Sequence, residues 1–453
     1  MTTSTSRAAW VTLLRRLHFY IGLFVGPFIF VAALTGTLYV ATPQLEEWIY
    51  HDTLHGTLQG ERQPLAQQIA IAQQVTGGHL SIQAVRPGLE AGETTRVMYA
   101  DPALGVSESR AIFIDPVTLA VKGDMTVYGT SGILPLRQWI DYAHRSLLLG
   151  DPGRIYSELA ASWMWIAALG GITLWFFTRP KRRINNRVQN TRRLHVTLGW
   201  LLLAGMLLFS ATGLTWSQWA GGNVDKMRAA FNWLTPQVNT QLQGGAEVHD
   251  PHAEHHAHHG GMAMAEDQPS LADFDNVLHI ARSAGIAAHK VEIRPAQSAD
   301  RAWTVTEIDR RWPTQVDAVA VDSKTHRIVD RTHFADFPLM AKLTRWGVDF
   351  HMGVLFGLPN QLLLIAFGAA LCVSIIAGYC LWWSRRPAVS AQSPVNSLLQ
   401  SVMQLSPAGR MVALLCALIT GIAMPVMGSS LVVFLLADYA RWRKSHRRMA
   451  NQS

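Results

Sequence analysis

The chain has 453 residues, of which 49% are hydrophobic and only 15% are charged, and its formal net charge is +8. This length and apolar content exclude a single small soluble domain. The basic residues cluster at the ends of long apolar stretches, so they indicate membrane topology, and we expect no nucleic-acid partner.

Four stretches of about twenty residues or more contain no Asp, Glu, Lys or Arg, namely residues 19–41, 159–178, 196–220 and 362–384. A helix of this length crosses the hydrocarbon layer of a membrane, which is about 30 Å thick. The sequence therefore predicts an α-helical integral membrane protein that contacts lipid. Its predicted transmembrane helices 1 to 4 are residues 13–41, 158–179, 192–219 and 360–385.

Basic residues occur at every second boundary of these helices. Arg15 and Arg16 precede helix 1, seven Lys and Arg residues lie within 179–193, and Arg385 and Arg386 follow helix 4. Because such residues stay on the cytoplasmic side, the pattern predicts a multi-pass protein with a cytoplasmic N-terminus. The loop 180–191 and the linker 386–407 are then cytoplasmic, and residues 42–157 and 220–350 are extracytoplasmic.

Each extracytoplasmic region combines one helix-like segment with short strand-like segments. In the first region the helix is 64–76 and the strands are 80–85, 95–99, 110–114 and 120–122. In the second region the helix is 271–284 and the strands are 290–293, 303–308 and 317–321. The patterns predict one small α+β module in each region.

A polar run between helix 3 and the second module is rich in histidine. Its members are His249, His252, His255, His256, His258 and His259. The low complexity of the run favours a disordered linker. Closely spaced imidazoles also bind divalent metal ions, so these residues are weak candidates for a metal site.

The last apolar segment covers residues 408–440, and a basic tail follows it. Pro425 and Gly428 interrupt the segment. A single span would place the basic tail outside, against the usual distribution of positive charge. We therefore predict a broken transmembrane helix or a helical hairpin.

The motif Arg-Arg-Leu-His occurs twice, at residues 15–18 and 192–195. From each histidine, a glycine follows at the fourth position (Gly22 and Gly199), and a Thr-Gly pair begins at the seventeenth. Such repetition without a gap indicates an internal duplication.

A second pair of histidines repeats in the same way. From His144 and from His351, Gly follows at the sixth position, Pro at the eighth, Leu-Trp at the thirtieth and Arg-Pro at the thirty-fifth. Two parallel repeats of two helices each are therefore expected to form a four-helix bundle about a pseudo-twofold axis along the membrane normal. That symmetry places His18 near His195 and His144 near His351.

Facing imidazoles in an apolar bundle are typical of a haem b whose iron is bound by two histidines. Gly22 and Gly199 lie one helical turn from His18 and His195 and leave room for a flat macrocycle. Zinc would require further ligands, and the chain has no Cys-x-x-Cys-His motif for covalent haem. We predict two haems b, although any one histidine could instead be an ordinary residue at the membrane interface. Arg16 and Arg193 could neutralise haem propionates or simply anchor the topology.

These motifs resemble the PepSY-associated membrane-helix family over about residues 10–387. The resemblance rests on the two Arg-Leu-His motifs with Gly22 and Gly199, on residues 144–147 with Gly150, and on residues 351–353 with Gly357. It implies a bacterial inner-membrane protein with PepSY-like outer modules. The family includes proteins linked to iron uptake and ferric-siderophore reductases of the FoxB type, in which such histidines hold b-type haems.

The resemblance implies a haem-dependent transmembrane oxidoreductase. Electrons would come from a quinol or a cytoplasmic donor and would reduce a periplasmic ferric siderophore or another metal chelate. No side chain is expected to act as acid, base or nucleophile, because the cofactor carries the chemistry. Two alternatives remain open, namely a permease for iron, copper or a siderophore, and a regulatory membrane protein that acts through its PepSY-like modules.

Overall fold

The computed structural model describes residues 2–178, 186–242, 270–385 and 398–450. The histidine-rich run, half of the basic loop 180–191 and most of the linker 386–407 lie outside these ranges. The chain folds into two compact units. The helical unit comprises Met1–Tyr39, Asp141–Met227 and Leu362–Ser453, and the sheet unit comprises Val40–Ile140 and Arg228–Gln361.

Within the described ranges, four helices are long and apolar enough to cross a membrane, and the chain is an integral membrane protein. These membrane helices 1 to 4 are Arg7–Ile49, Asp151–Phe177, Arg187–Thr215 and Leu358–Ser384. Helix 1 continues to Ile49, beyond the predicted end at residue 41. The apolar run ends near Pro43, but a proline removes only its own backbone donor, and the helix continues through the polar residues that follow.

The C-terminal segment forms three helices, Leu398–Met403, Pro407–Ala423 and Pro425–Ala450. The chain reverses at Met424, and Gly421 and Gly428 pack closely enough that a Cβ on Gly428 would lie 2.8 Å from the Cα of Gly421. The segment is therefore a helical hairpin. Its first arm, with 17 residues, is shorter than a usual membrane span.

The hairpin packs against the membrane helices. Met427 is buried in the same apolar core as Ile21 and Val25 of helix 1. Trp163 of helix 2 donates a hydrogen bond to Ser430 at 2.8 Å. The hairpin is thus an integral part of the helical unit.

The sheet unit contains one antiparallel sheet of eight strands in the order β4-β3-β2-β1-β5-β6-β7-β8. The strands β1 to β4 are Ser81–Arg86, Thr95–Ala100, Glu108–Ile114 and Val121–Tyr128, and β5 to β8 are Val291–Arg294, Trp303–Glu307, Ala318–Asp322 and Arg327–Thr332. The two α+β modules therefore do not form separate sheets, because β1 pairs with β5 through Val85 and Ile293. The sequence patterns also missed β8, whose residues are mostly exposed and show no apolar alternation.

Two helices cover the apolar face of this sheet. Leu65–Thr76 and Leu271–Ser283 bury Ile69 and Phe274 against the strands. Shorter or peripheral helices complete the described chain, namely His51–Leu54, Pro135–Ser146, Trp219–Ala230 and Leu339–His351. His144 and His351 lie at the C-terminal ends of the second and fourth of these.

A buried ion-pair network fastens the two halves of the sheet. Glu292 on β5 accepts hydrogen bonds from Arg86 on β1 and from Arg294, at 2.7 and 2.6 Å. Burial opposes ionisation of Glu292, but the two guanidinium groups outweigh it and lower the pKa of Glu292 to about 2. The ionised carboxylate therefore stabilises the sheet at neutral pH, and this contribution is lost as the pH falls from the unfolded pKa near 4.5 towards 2.

We expect Glu292→Ala to destabilise the junction of β1 and β5 by about 3–5 kcal/mol, because it leaves two partly buried guanidinium groups without their carboxylate. Hydrogen exchange of the β1 and β5 amides in the intact protein would measure this loss. Asp124→Ala is the control, since Asp124 forms an exposed pair with Arg110 and its loss should cost about 1 kcal/mol or less. Equal protection in both variants would contradict the prediction.

Candidate histidine site

His18 lies on membrane helix 1 and is held by helix 2. Its Nδ1 is 3.1 Å from the carbonyl oxygen of Ala167. Since a carbonyl can only accept, Nδ1 carries the proton and Nε2 keeps its lone pair. This tautomer is the one that binds a metal through Nε2.

His195 has the equivalent arrangement in the second repeat. Its Nδ1 donates to the carbonyl oxygen of Ser374 on helix 4 at 2.9 Å, and the Ser374 hydroxyl lies 3.2 Å away. Ala167 and Ser374 occupy equivalent positions, since 167 − 144 and 374 − 351 both equal 23. The duplication therefore extends to the groups that orient each imidazole.

The two imidazoles face each other within the helical unit. Their ring centroids are 6.3 Å apart, and their planes are inclined at 66°. An imidazole nitrogen binds a metal ion at about 2 Å, so two imidazoles on one ion have ring centroids about 6 Å apart. The spacing of His18 and His195 therefore fits a single metal ion between them.

A glycine on a neighbouring helix lies next to each imidazole, on helix 2 for His18 and on helix 4 for His195. A Cβ on Gly171 would lie 3.1 Å from His18 Cε1, and one on Gly378 would lie 3.6 Å from His195 Cε1. Both glycines lie 27 residues after the second histidine of their repeat. The sequence analysis did not identify these two glycines, although their equal spacing from His144 and His351 could have indicated them.

Gly22 and Gly199, the glycines predicted to leave room beside the histidines, border open space. A Cβ on either would have no atom within 4 Å apart from its own helix and chain neighbours. Gly171 and Gly378 leave room for the two imidazoles, and Gly22 and Gly199 leave open space beside them. This arrangement fits a flat ligand that contacts both rings.

Membrane helix 1 contains a π-helical turn, Ile21–Val25, which begins three residues after His18. The hydroxyl of Tyr379 on helix 4 donates to the Leu23 carbonyl of this turn at 2.8 Å. Helix 3 is α-helical throughout Arg187–Thr215, and Ile172 stands where the first repeat would carry the counterpart of Tyr379. The two repeats therefore hold their first histidines in different helical settings, and π turns often mark functional positions.

His144 packs against the Thr-Gly pair of helix 1. Thr35 donates to the Val31 carbonyl at 2.7 Å, so its oxygen accepts from His144 Nδ1 at 3.1 Å. A Cβ on Gly36 would lie 3.1 Å from His144 Cε1. Burial lowers the pKa of His144, which favours the neutral imidazole needed for metal binding. In the first repeat, the Thr-Gly motif therefore contacts the imidazole of His144.

His351 ends the helix Leu339–His351 in the sheet unit. Two residues earlier, the carboxylate of Asp349 is fully buried between Arg310 and Arg345, at 3.2 and 3.1 Å. This network fixes the end of the helix that carries His351. Because His144 and His351 belong to different units, the pairing predicted for them stays a prediction.

Arg16 and Arg193 have different surroundings despite their equivalent positions. Arg16 interacts electrostatically with Asp438 and Arg441 of the C-terminal hairpin. Arg193 is exposed, and its Nη1 lies 3.5 Å from Asn190 Oδ1. A role in binding propionates stays a prediction for both.

Among the residues that the structure describes, no group of three or more His, Cys, Asp or Glu side chains could hold a metal ion. Zinc in proteins has three or four protein ligands. The paired imidazoles therefore fit an ion that brings its own equatorial ligands, as the iron of a haem does.

Residues 15–385 match a protein family that is described as PepSY-associated TM region. The matched segment contains all four histidines of the two pairs. No curated protein matches the chain. With most of its length covered by the family model, the chain belongs to this family.

Proposed function

We propose that this member of the PepSY-associated TM family is a di-haem b oxidoreductase of the bacterial inner membrane. It would reduce a periplasmic ferric siderophore or a similar ferric chelate during iron uptake. The observation that carries the proposal is the pair His18 and His195, with ring centroids 6.3 Å apart and both Nδ1 atoms engaged by backbone carbonyls.

In this proposal His18 and His195 hold one haem b, and His144 and His351 hold the second. The iron of a bound haem alternates between the ferric and ferrous states and so carries single electrons. The protein's own residues fix the position and the electronic environment of each group. The carbonyls of Ala167 and Ser374 hold the imidazoles in one tautomer and increase their basicity as ligands.

The two proposed sites lie at different levels along membrane helix 1. His144 contacts Thr35, which is 17 residues from His18, or about 25 Å along the helix. Arg15 and Arg16, which precede the apolar part of helix 1, support a cytoplasmic position for the His18 end. Electrons from a quinol or a cytoplasmic donor would thus enter near His18 and leave near His144.

Reduction at the outer face would release iron from the siderophore, because the siderophore binds Fe(II) less tightly than Fe(III). The oxygen donors of siderophores are hard ligands and bind Fe(III) more tightly than Fe(II). A one-electron reduction therefore weakens the complex without any acid, base or nucleophile from the protein.

Purified protein in liposomes tests this function. A reductant enclosed inside should reduce an external ferric hydroxamate, and ferrozine outside should trap the Fe(II) as a coloured complex. Liposomes without the protein are the control for leakage. A haem-containing protein that leaves every ferric chelate tested unreduced would contradict reductase function, and a colourless protein would favour the permease or regulatory alternatives.

We expect His144→Ala and His351→Ala each to remove the second haem and to abolish chelate reduction. The haem at His18 and His195 should stay visible in the absorption spectrum of both variants, because its ligands are untouched. Haem content per chain and trapped Fe(II) measure the two effects in the same preparation. Full reductase activity in either variant would count against the assignment of these ligands.

A further inference from the structure

A buried carboxylate lies at the His18 end of the helical unit. Asp438 ends an apolar run of the helix Pro425–Ala450, and only 3% of its surface is exposed. The positively charged residues that follow begin three positions later with Arg441. Burying an ionisable side chain among apolar helices is costly, so such a residue commonly marks a functional site.

The contacts of Asp438 connect it to the histidine site. The Tyr20 hydroxyl donates to Oδ1 at 2.5 Å, and the Leu399 amide donates to Oδ2 at 3.2 Å. Arg441 donates to Oδ1 at 3.2 Å, and Arg16 interacts electrostatically with the carboxylate. Tyr20 is two residues after His18, so the carboxylate is one side chain away from the helix segment that carries the histidine.

Aromatic rings lie next to Tyr20, the residue that donates to this carboxylate. Phe19 and Phe24 are 40% and 50% exposed. Their ring centroids lie 5.9 Å from that of Tyr20, and Phe24 lies 5.7 Å from Phe434 of the hairpin. This surface therefore combines exposed aromatic rings, on which a flat ring can stack, with one buried hydrogen-bond acceptor reached through Tyr20.

We propose that this surface, formed by Phe19, Tyr20, Phe24, Phe434 and Asp438, binds a membrane quinol, and that Asp438 accepts its first proton. The inference rests on the proposed function and chooses between the two donors left open there. A quinol is soluble in lipid, has a flat ring and carries two hydroxyl donors, and all three properties match the surface. A water-soluble protein donor would instead need a polar surface facing the cytoplasm.

Oxidation of one quinol to a quinone breaks two O–H bonds and releases two electrons and two protons. The oxidant would be a ferric haem b held by His18 and His195, which would accept the two electrons one at a time and pass each one on. Asp438 takes up the first proton and is thereby neutralised. Both protons then leave to water past Arg441, whose side chain is 60% exposed.

Asp438 lies outside the segment that matches the family, which ends at residue 385. The carboxylate could also serve only to fasten the hairpin to helix 1, and the variants must separate this role from quinol binding. Asp438→Asn keeps an oxygen that can accept from Tyr20 but removes the charge and the proton-accepting group. Glu158→Gln is a matched control, because Glu158 is a fully buried carboxylate of the same unit that binds the amides of Trp219 and Ala220.

The probe is 2-heptyl-4-hydroxyquinoline N-oxide, a quinol analogue whose fluorescence is quenched on binding. We expect saturable binding to the full-length protein, unchanged in Glu158→Gln and weaker by about tenfold or more in Asp438→Asn, which loses a charge-assisted hydrogen bond. With a short-chain quinol, reduction of the haem absorbance should slow by about a hundredfold in Asp438→Asn. Reduction by dithionite should be unaffected, and Asp438→Glu should recover part of the quinol rate.

Equal binding of the probe and equal quinol rates in wild type and Asp438→Asn would overturn the inference, even with two haems present. Loss of haem in Asp438→Asn while the probe still binds normally would also overturn it and would leave Asp438 a structural role. Absence of haem from the wild type would instead contradict the proposed function, which the haem spectrum reports independently of probe binding.

Discussion

His195→Ala is expected to lower the haem content of the purified protein from two per chain to one. The variant leaves His18 as the only imidazole at its site, and a bis-histidine haem needs a nitrogen on each side of the porphyrin plane. A pyridine haemochrome assay measures the haem content, and the absorption spectrum shows whether the remaining haem keeps two nitrogen ligands.

The control for this prediction is His279→Ala. His279 is exposed on the helix Leu271–Ser283, so its loss should leave both haems in place. Retention of two haems per chain in His195→Ala would show that His195 is not a ligand and would remove the main support for the account.

Gly171→Ala is expected to disturb the haem at His18 and His195, whereas Gly378→Ala is expected to leave it nearly unchanged. The new methyl group of the first variant would lie 3.1 Å from His18 Cε1, so the ring must move by a few tenths of an ångström. In the second variant the methyl group would lie 3.6 Å from His195 Cε1, an ordinary contact. The positions are equivalent in the two repeats, and both substitutions gain about the same helix propensity, up to 1 kcal/mol.

Low-temperature electron paramagnetic resonance would measure this difference, because the spectrum of a ferric haem depends on the orientation of its axial imidazoles. We expect Gly171→Ala to shift the signal of one haem and to weaken haem retention. Identical spectra for the two variants would contradict the orientation of His18 that the structure describes.

The duplication made the first histidine pair predictable from sequence. His18 and His195 occupy equivalent positions of the repeated motif, the predicted pseudo-twofold symmetry would bring such positions together, and their rings do lie 6.3 Å apart. The repeated glycines and the Thr-Gly pair also carried information, since Thr35 and Gly36 contact His144.

The groups that orient the imidazoles could not be identified in the same way. Ala167 and Ser374 act through backbone carbonyls, and any residue type supplies such a group. The packing of neighbouring helices determines which carbonyl accepts a hydrogen bond from Nδ1. No sequence pattern predicts that packing.

Two further features depended on contacts between distant segments. The two α+β modules are joined into one sheet by the pairing of β1 with β5 and by the buried Glu292. No local sequence pattern indicates either contact. Asp438 lies near the end of the predicted broken segment 408–440, and its burial becomes evident only when the hairpin packs against Tyr20 of helix 1. Local periodicity therefore predicted most helices and strands but not the way in which they join.

The most direct test of the central claim, that paired histidines hold haem in this membrane protein, is the dithionite-reduced minus oxidised absorption spectrum of the purified chain with its haem content. A protein that holds two haems b should show sharp b-type bands and two haems per chain. A colourless protein, expressed with adequate haem supply and correctly inserted in the membrane, would contradict it.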